Sequence, residues 1–397
     1  MRRMSVKEKF FSTHAINSLI IFLFMALPMF LISKLYNKTK EDIWLISERY
    51  DEARDNGFHF FKYIRTQEQS INCFYVIDKE SKDKKKVAQY GNIIHFGSYK
   101  HYLYYYLATK HITTHGSGYG LMPDTRACRL LEKFFTVEAK SIYLKHGILY
   151  NNITALTKKR TGIDLFICGA LPEYNFVREN FGYEKHEVQY LGLTRFDSLV
   201  KSKPKEKQIL YMPTWRRWLA RLSDDEFKES LFYKNIQTML DSNQFNDLVE
   251  SFNLDFKFCL HPRFQKYNHL FLSNNNNVEI VDTETNDIQN LLKSSRLLIT
   301  DYSSVFFDFA YMKKPIIYYQ FDSNKFWKRQ YHKGYFNYEN HGFGPLTQNK
   351  EDCLNVLEKY ILSNYEISEK YKKRINKFYP IIDDKNCQRV YKYIMNM

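Results

Sequence analysis

The residues of this chain best suited to phosphate chemistry stand at the ends of apolar runs. The stretch LLITDYSSVFFDFAYMKKPIIYY (297–319) reads as a buried strand, a turn of small polar residues, a helix and a second buried strand. In open parallel sheets, ligands bind outside the carboxyl ends of the strands. Ser303 and Ser304 fall at the start of the helix, where free backbone N–H groups and the helix dipole attract phosphate. A helix cap alone accounts for one polar residue there; it does not account for the succession Thr300-Asp301-Tyr302-Ser303-Ser304. Three further runs end the same way. LKHG (144–147) places His146 beside Gly147. An imidazole of ordinary pKa, about 6.5, can take a proton from an attacking hydroxyl, and glycine lets backbone approach a ligand closely. CLHPRF (259–264) supplies His261 and Arg263, and YMPTWRR (211–217) supplies Thr214, Trp215, Arg216 and Arg217. Arginine holds phosphate bidentately, which suits a pyrophosphate.

What is missing narrows the chemistry. There is no Walker loop and no GxGxxG, which argues against ATPase and dinucleotide functions. No clustered carboxylate pair demands a metal. Asp301 and Asp308 flank the phosphate turn and suit donor hydroxyls instead, so no metal or cofactor is expected. A second Gly-rich turn, HITTHGSGYG (111–120), either borders the acceptor or is a plain loop.

Positioning these groups requires strands that alternate with helices. IWLIS, CFYVID, IIHFG, SIYLKH, LFICG and VQYLG form one series of short β-rich runs; ILYMPTW, FKFCLHP, VEIVD, RLLITD and PIIYYQ form a second. Amphipathic stretches separate the members, the trace of a parallel α/β fold. The charged segment VKSKPKEKQ (200–208) divides the series. The organisation expected is an N-terminal basic and apolar segment (1–40), a first Rossmann-like domain (41–200) and a nucleotide-binding domain (205–397).

With 397 residues, 44% of them hydrophobic, the chain has material for two cores. A net charge of +15 points to a polyanionic partner: a phosphorylated substrate, an anionic membrane face or nucleic acid. No nucleic-acid-binding signature appears and the basic runs are short, so nucleic acid is not expected as a partner. The six cysteines are scattered and form no CxxC pair, which favours a reducing cytoplasmic setting. LIIFLFMALPMFLI (19–32) is almost wholly apolar, interrupted by Pro28 and flanked by Arg2, Arg3, Lys7 and Lys9 before and Lys34, Lys38 and Lys40 after. It is short for a spanning helix. It reads as a short anchor, an interfacial helix or a first buried helix, and basic residues on both sides favour the interface.

Together these motifs resemble the CDP-glycerol glycerophosphotransferase family, the teichoic-acid and capsule polymerases and primases. The elements that carry the resemblance are LKHG, GLTRFDSL, ILYMPTWR, CLHPRF, the 297–319 block and GYFNYENHGFGPL, in the family's order over 141–346. SERYDEARDNGFHFFKYI (47–64) is similar to the N-terminal region of capsule-related members. The resemblance implies a GT-B-like fold: two Rossmann-like domains facing a central cleft, the donor in the C-terminal one. It implies a CDP-linked donor touching His146, Gly147, Arg195, Thr214, Trp215, His261, Ser303, Ser304 and Asp308. His146 would be the general base, with Arg195, His261 and the Ser303/Ser304 turn on the pyrophosphate. Arg216 and Arg263 join that set on chemical grounds. The acceptor implied is a polysaccharide or lipid-linked chain at the cytoplasmic face of a bacterial membrane. One departure stands out: many members read His-Gly-Thr-Pro where this chain reads His146-Gly147-Ile148-Leu149. The alternatives are a GT-B glycosyltransferase using a nucleotide sugar for capsule or lipopolysaccharide, and a membrane-bound assembly factor that binds nucleotide without turnover.

Overall fold

Short runs of β-branched and aromatic residues that are apolar on both faces become strands covered on both faces. β8 (Gln208–Met212), β11 (Leu297–Thr300) and β12 (Ile316–Tyr319) are buried along their whole length, as parallel sheets sheathed by helices require. The computed structural model describes residues 16–36, 41–118, 120–330 and 333–397. Arg2, Arg3, Lys7, Lys9, Lys38, Lys40 and Tyr119 of the segments read above lie outside the described residues.

The first sheet contains β1 (Ile43–Ser47), β2 (Asn72–Ile77), β3 (Ile93–His95), β4 (Lys110–Thr113), β5 (Lys140–Tyr143), β6 (Leu165–Cys168) and β7 (Val188–Tyr190) in the order β3-β2-β1-β4-β5-β6-β7. The second contains β8, β9 (Asp255–Phe258), β10 (Val278–Ile280), β11, β12 and β13 (Leu346–Thr347) in the order β10-β9-β8-β11-β12-β13. Every pairing in both sheets is parallel. The strand order reverses between β1 and β4 and again between β8 and β11, and such reversals open crevices at the carboxyl ends. The phosphate turn follows β11, and Thr214 follows β8, whose Met212 pairs with Thr300.

Three expectations need correction. β4 occupies the front of the segment read as a Gly-rich turn; Lys110-His111-Ile112-Thr113 is polar by type, yet His111, Ile112 and Thr113 are buried. The two-residue β13 leaves too short a run to be seen in sequence. The expected unit 205–397 does not hold to its end, because the Asn386–Met395 helix returns to the first sheet. Its Cys387, Val390 and Ile394 share a core with Trp44, Phe60, Phe61 and Ile64.

The apolar N-terminal segment is one helix, Ile16–Tyr36, with a mean hydropathy of 2.2. Pro28 sits inside it. A π turn, Phe22–Ala26, immediately precedes, with the Leu27 N–H donating to the Phe22 carbonyl. The wider turn accommodates a residue that has no N–H and whose ring crowds the preceding turn. Ala26 and Phe30 pack on the Tyr99–Leu107 helix through Tyr102 and Tyr106, while Leu19, Leu23, Phe24, Leu31 and Leu35 are exposed.

Candidate functional site

Seven of the eleven expected site residues line a single cleft between the two sheets, of about 180 Å³: His146, Gly147, Thr214, Trp215, His261, Ser303 and Ser304. The C-terminal wall is built around Asp301. Its carboxylate accepts the backbone N–H of Thr214 (2.8 Å) and of Tyr302, and a guanidinium N–H of Arg216 (2.7 Å). Thr300 donates its hydroxyl to the Met212 carbonyl (2.7 Å). The first two residues of the turn thus knit β8 to β11, and the last two, buried Ser303 and exposed Ser304, line the cleft. Ser304 caps the Val305–Tyr311 helix by position, with no hydrogen bond from its side chain to the helix. Among the described residues, Thr214 Oγ1 and Asn151 Oδ1 are buried polar atoms with no hydrogen-bond partner, both in the cleft wall. Buried donors and acceptors are rarely left unmade, so these two atoms are open to a ligand in the cleft.

The N-terminal wall follows β5. Lys145 adopts a left-handed backbone conformation (φ 65°), unusual for a residue with a Cβ, and turns the chain so that His146 faces the cleft. The Lys145 ammonium is paired with Glu173 in the interior. Glu173 also accepts the backbone N–H groups of Leu149 and Gly169 (2.7 Å to the latter), tying the His146 loop to β6. His115, two residues beyond β4, stacks on His146 at 5.2 Å between ring centroids and 12° between planes. The register that pairs Thr113 with Tyr143 delivers the two rings side by side. The protein walls around His146, and then the Lys145 charge, hold its imidazole below its ordinary value. The ring is exposed to the cleft and uncharged at neutral pH, the form a general base needs.

His261 opens the Pro262–Leu270 turn of helix, and its Nδ1 accepts the Arg263 backbone N–H at 3.2 Å. That bond leaves the proton of the neutral ring on Nε2, a donor free for an anionic oxygen. Burial, then the nearby Arg263 charge, pushes His261 down to about 4. Arg263 itself is exposed and lies over the Trp215 ring at 4.4 Å, and the Trp215 and His261 rings are 6.1 Å apart. Arg263 stands behind the indole on the rim rather than in the cleft.

Arg195, Arg216 and Asp308 are buried and do not line the cleft. Arg195 clasps Asp308 with Nε (3.0 Å) and Nη2 (2.7 Å), and its Nη1 reaches Asp55 (2.7 Å) and the His146 carbonyl (3.0 Å). Burial disfavours its cation, but Asp308 and Asp55 outweigh that and hold its pKa above the ordinary value. Arg216 is 0% exposed and spends its N–H groups on Asp322, Asp301 and the Thr214 carbonyl. These arginines are struts: one fixes the His146 loop across the two halves, the other fixes the phosphate turn. In sequence, a strut arginine and a phosphate arginine are the same letter; only burial and the partner carboxylates tell them apart. Sequence reasoning missed Asn151 and Glu173 as parts of the site; Lys145 lay inside LKHG and His115 inside HITTHGSGYG, motifs singled out without a role for either residue. His115 had the adjacent Gly116 as a signal. Glu173, inside a helix, had none.

A family profile described as CDP-Glycerol:Poly(glycerophosphate) glycerophosphotransferase matches residues 28–396. The chain is 30% identical over 379 residues to the minor teichoic acid biosynthesis protein GgaB of Bacillus subtilis (strain 168), covering 90% of this chain and 40% of that protein. It is 29% identical over 198 residues to the teichoic acid poly(glycerol phosphate) polymerase of the same strain, covering 49% of this chain and 25% of the polymerase. The chain thus spans less than half the length of these relatives. Among solved structures, the wall teichoic acid polymerase TagF superposes with a TM-score of 0.70 at 17% identity, covering 99% of this chain and 98% of that one. A UDP complex of S. aureus MnaA superposes with a TM-score of 0.53 at 14% identity, over 90% and 97% of the two chains. At these identities the likeness establishes the two-domain fold.

Proposed function

The chain belongs to the CDP-glycerol:poly(glycerophosphate) glycerophosphotransferase family, and we propose that it moves glycerol phosphate, or a related alditol phosphate, from a CDP-activated donor to an acceptor hydroxyl. The acceptor is a teichoic or capsular polysaccharide, membrane-linked, and CMP is the product released. The observation that carries the reading is the pairing of an uncharged His146 with the Ser303, Ser304 and Thr214 hydroxyl side chains across one cleft.

In this reaction the acceptor oxygen forms a bond to the phosphorus that bears the alditol, and the bond from that phosphorus to the bridging pyrophosphate oxygen breaks. His146 takes the acceptor proton. The bridging oxygen and its electron pair leave with CMP. The helix N-terminus behind Ser303 and Ser304 and the Nε2–H of His261 stabilise charge on the phosphoryl oxygens. Asp55, Asp301, Asp308 and Asp322, the carboxylates bonded to the two strut arginines, are engaged by those cations. Arg195 acts through the His146 backbone and Asp308 rather than on the donor. The N-terminal helix, with one side on the domain and apolar residues open on the other, supports attachment in the plane of an anionic membrane surface.

The competing reading is a glycosyltransferase that uses a nucleotide sugar on the same fold. Titration of the full chain with CDP-glycerol, CDP-ribitol and UDP-N-acetylglucosamine, followed by thermal stabilisation, separates them. A CDP-alditol should raise the melting temperature in proportion to its occupancy. Stabilisation by UDP-N-acetylglucosamine alone would overturn the assignment.

A further inference from the structure

A cavity larger than the cleft, about 640 Å³ in volume, lies on one face of the first sheet, beneath the connections that leave β4 and β5. Its floor is Thr113 and Ser141 on those strands, and its rim carries Arg129, Lys133 and Arg160. All three cations are exposed, and none makes an ion pair among the described residues. The lining carboxylate, Glu132, accepts the Tyr105 hydroxyl at 3.3 Å, so the rim keeps an excess of positive charge.

What ties this cavity to the reaction is His115. Its ring lines the cavity and stacks on His146, which lines the cleft, so the two spaces meet across one pair of imidazoles. Burial, then His146, pushes His115 down to about 3; it adds no charge of its own, and a proton on His146 is not attracted to it. In the proposed reaction, the donor phosphates occupy the C-terminal side of His146, against Ser303, Ser304 and Thr214. The attacking hydroxyl therefore has to arrive from the N-terminal side, where this cavity lies.

We propose that the cavity beneath the β4 and β5 connections seats the acceptor strand, its phosphate groups on Arg129, Lys133 and Arg160, with His115 as a positioning residue that aims the terminal hydroxyl at His146. This rests on the reading of the cleft as the transfer site. Three cations spaced around a roomy, half-open hollow suit a chain of repeated phosphodiesters better than a single small anion. The cavity also neighbours the apolar N-terminal helix: a surface hollow formed by Leu19, Arg126 and Leu130 shares Arg129 and Lys133 with it. An acceptor whose far end is held at a membrane could therefore enter beside the helix.

The test uses the full chain and a synthetic glycerol-phosphate trimer as the probe, with inorganic phosphate and phosphatidylglycerol vesicles as separate arms. Arg129→Ala combined with Arg160→Ala should weaken trimer binding at least about tenfold, the loss of charge-assisted contacts. Arg221→Ala combined with Lys228→Ala, exposed cations on the other domain, should leave it unchanged. His115→Ala should raise the KM for the trimer by a larger factor than the KM for CDP-glycerol, a split that a merely structural role would not produce. Trimer binding that survives the Arg129/Arg160 substitution would overturn the proposal. So would inorganic phosphate binding as tightly as the trimer, or a loss confined to the vesicle arm. The binding arm needs no donor, so if CDP-glycerol is never turned over while trimer binding still depends on Arg129 and Arg160, the transfer reading fails and the anion site stands.

Discussion

At the scale of single residues, the account turns on which groups are free to act. His146 is a lone histidine in sequence, and lone histidines are more often structural. Its exposure to the cleft, its stacking on His115 and its lowered pKa are what support the proposed role as base. Because its folded pKa is depressed, the imidazole stays unprotonated as pH falls through the ordinary histidine range. The acid limb of kcat/KM should therefore lie below pH ~6.5 rather than at it. A pH profile of CMP release checks this. An inflection at or above ~6.5 that vanishes in His146→Ala would mean that the base is less enclosed than its surroundings imply. The histidine and hydroxyl positions were legible in sequence because they sit where strands end. The engagement of Arg195 and Arg216 with buried carboxylates was not legible, because chemical type carries no information on burial.

At the scale of elements, the phosphate turn and the His146 loop are held by buried ion pairs rather than by the strands alone. Asp308 is 2% exposed and Arg195 is 5% exposed, each satisfied mainly by the other. Removing one member of such a pair strands a buried charge and costs about 3–5 kcal/mol. Asp308→Ala should thus lower the urea midpoint of unfolding substantially, with lost activity following from lost structure. If the variant unfolds like the parent and shows only a raised KM for the donor, Asp308 is a ligand after all. The strand series was readable from periodicity because parallel strands buried on both faces leave continuous apolar runs. β4 was not, because its Lys110 and His111 are polar; His111 is buried and hydrogen-bonded through Nε2 to the Tyr105 carbonyl at 2.8 Å.

At the scale of the molecule, two sheets and a returning C-terminal helix frame the cleft, and the N-terminal helix adds an exposed apolar face. The chain's net charge of +15 and the exposed Leu19, Leu23 and Phe24 point the same way, toward an anionic lipid surface. Exchanging Leu23→Lys together with Phe24→Lys removes two side chains, each contributing about 1.5–3 kcal/mol when buried in lipid. Sedimentation with phosphatidylglycerol vesicles should fall at least about tenfold. Equal sedimentation of the variant would place the attachment elsewhere. The return of the Asn386–Met395 helix to the first sheet was invisible in sequence, since an amphipathic helix does not record which sheet covers it. The central claim concerns what passes through the cleft, and the product nucleotide tests it most directly. With CDP-glycerol and a glycerol-phosphate acceptor, the account predicts one CMP formed for each glycerol phosphate gained by the acceptor, and loss of both in His146→Ala by roughly 10²–10⁴-fold. Release of CDP in place of CMP, or undiminished transfer by His146→Ala, would contradict it.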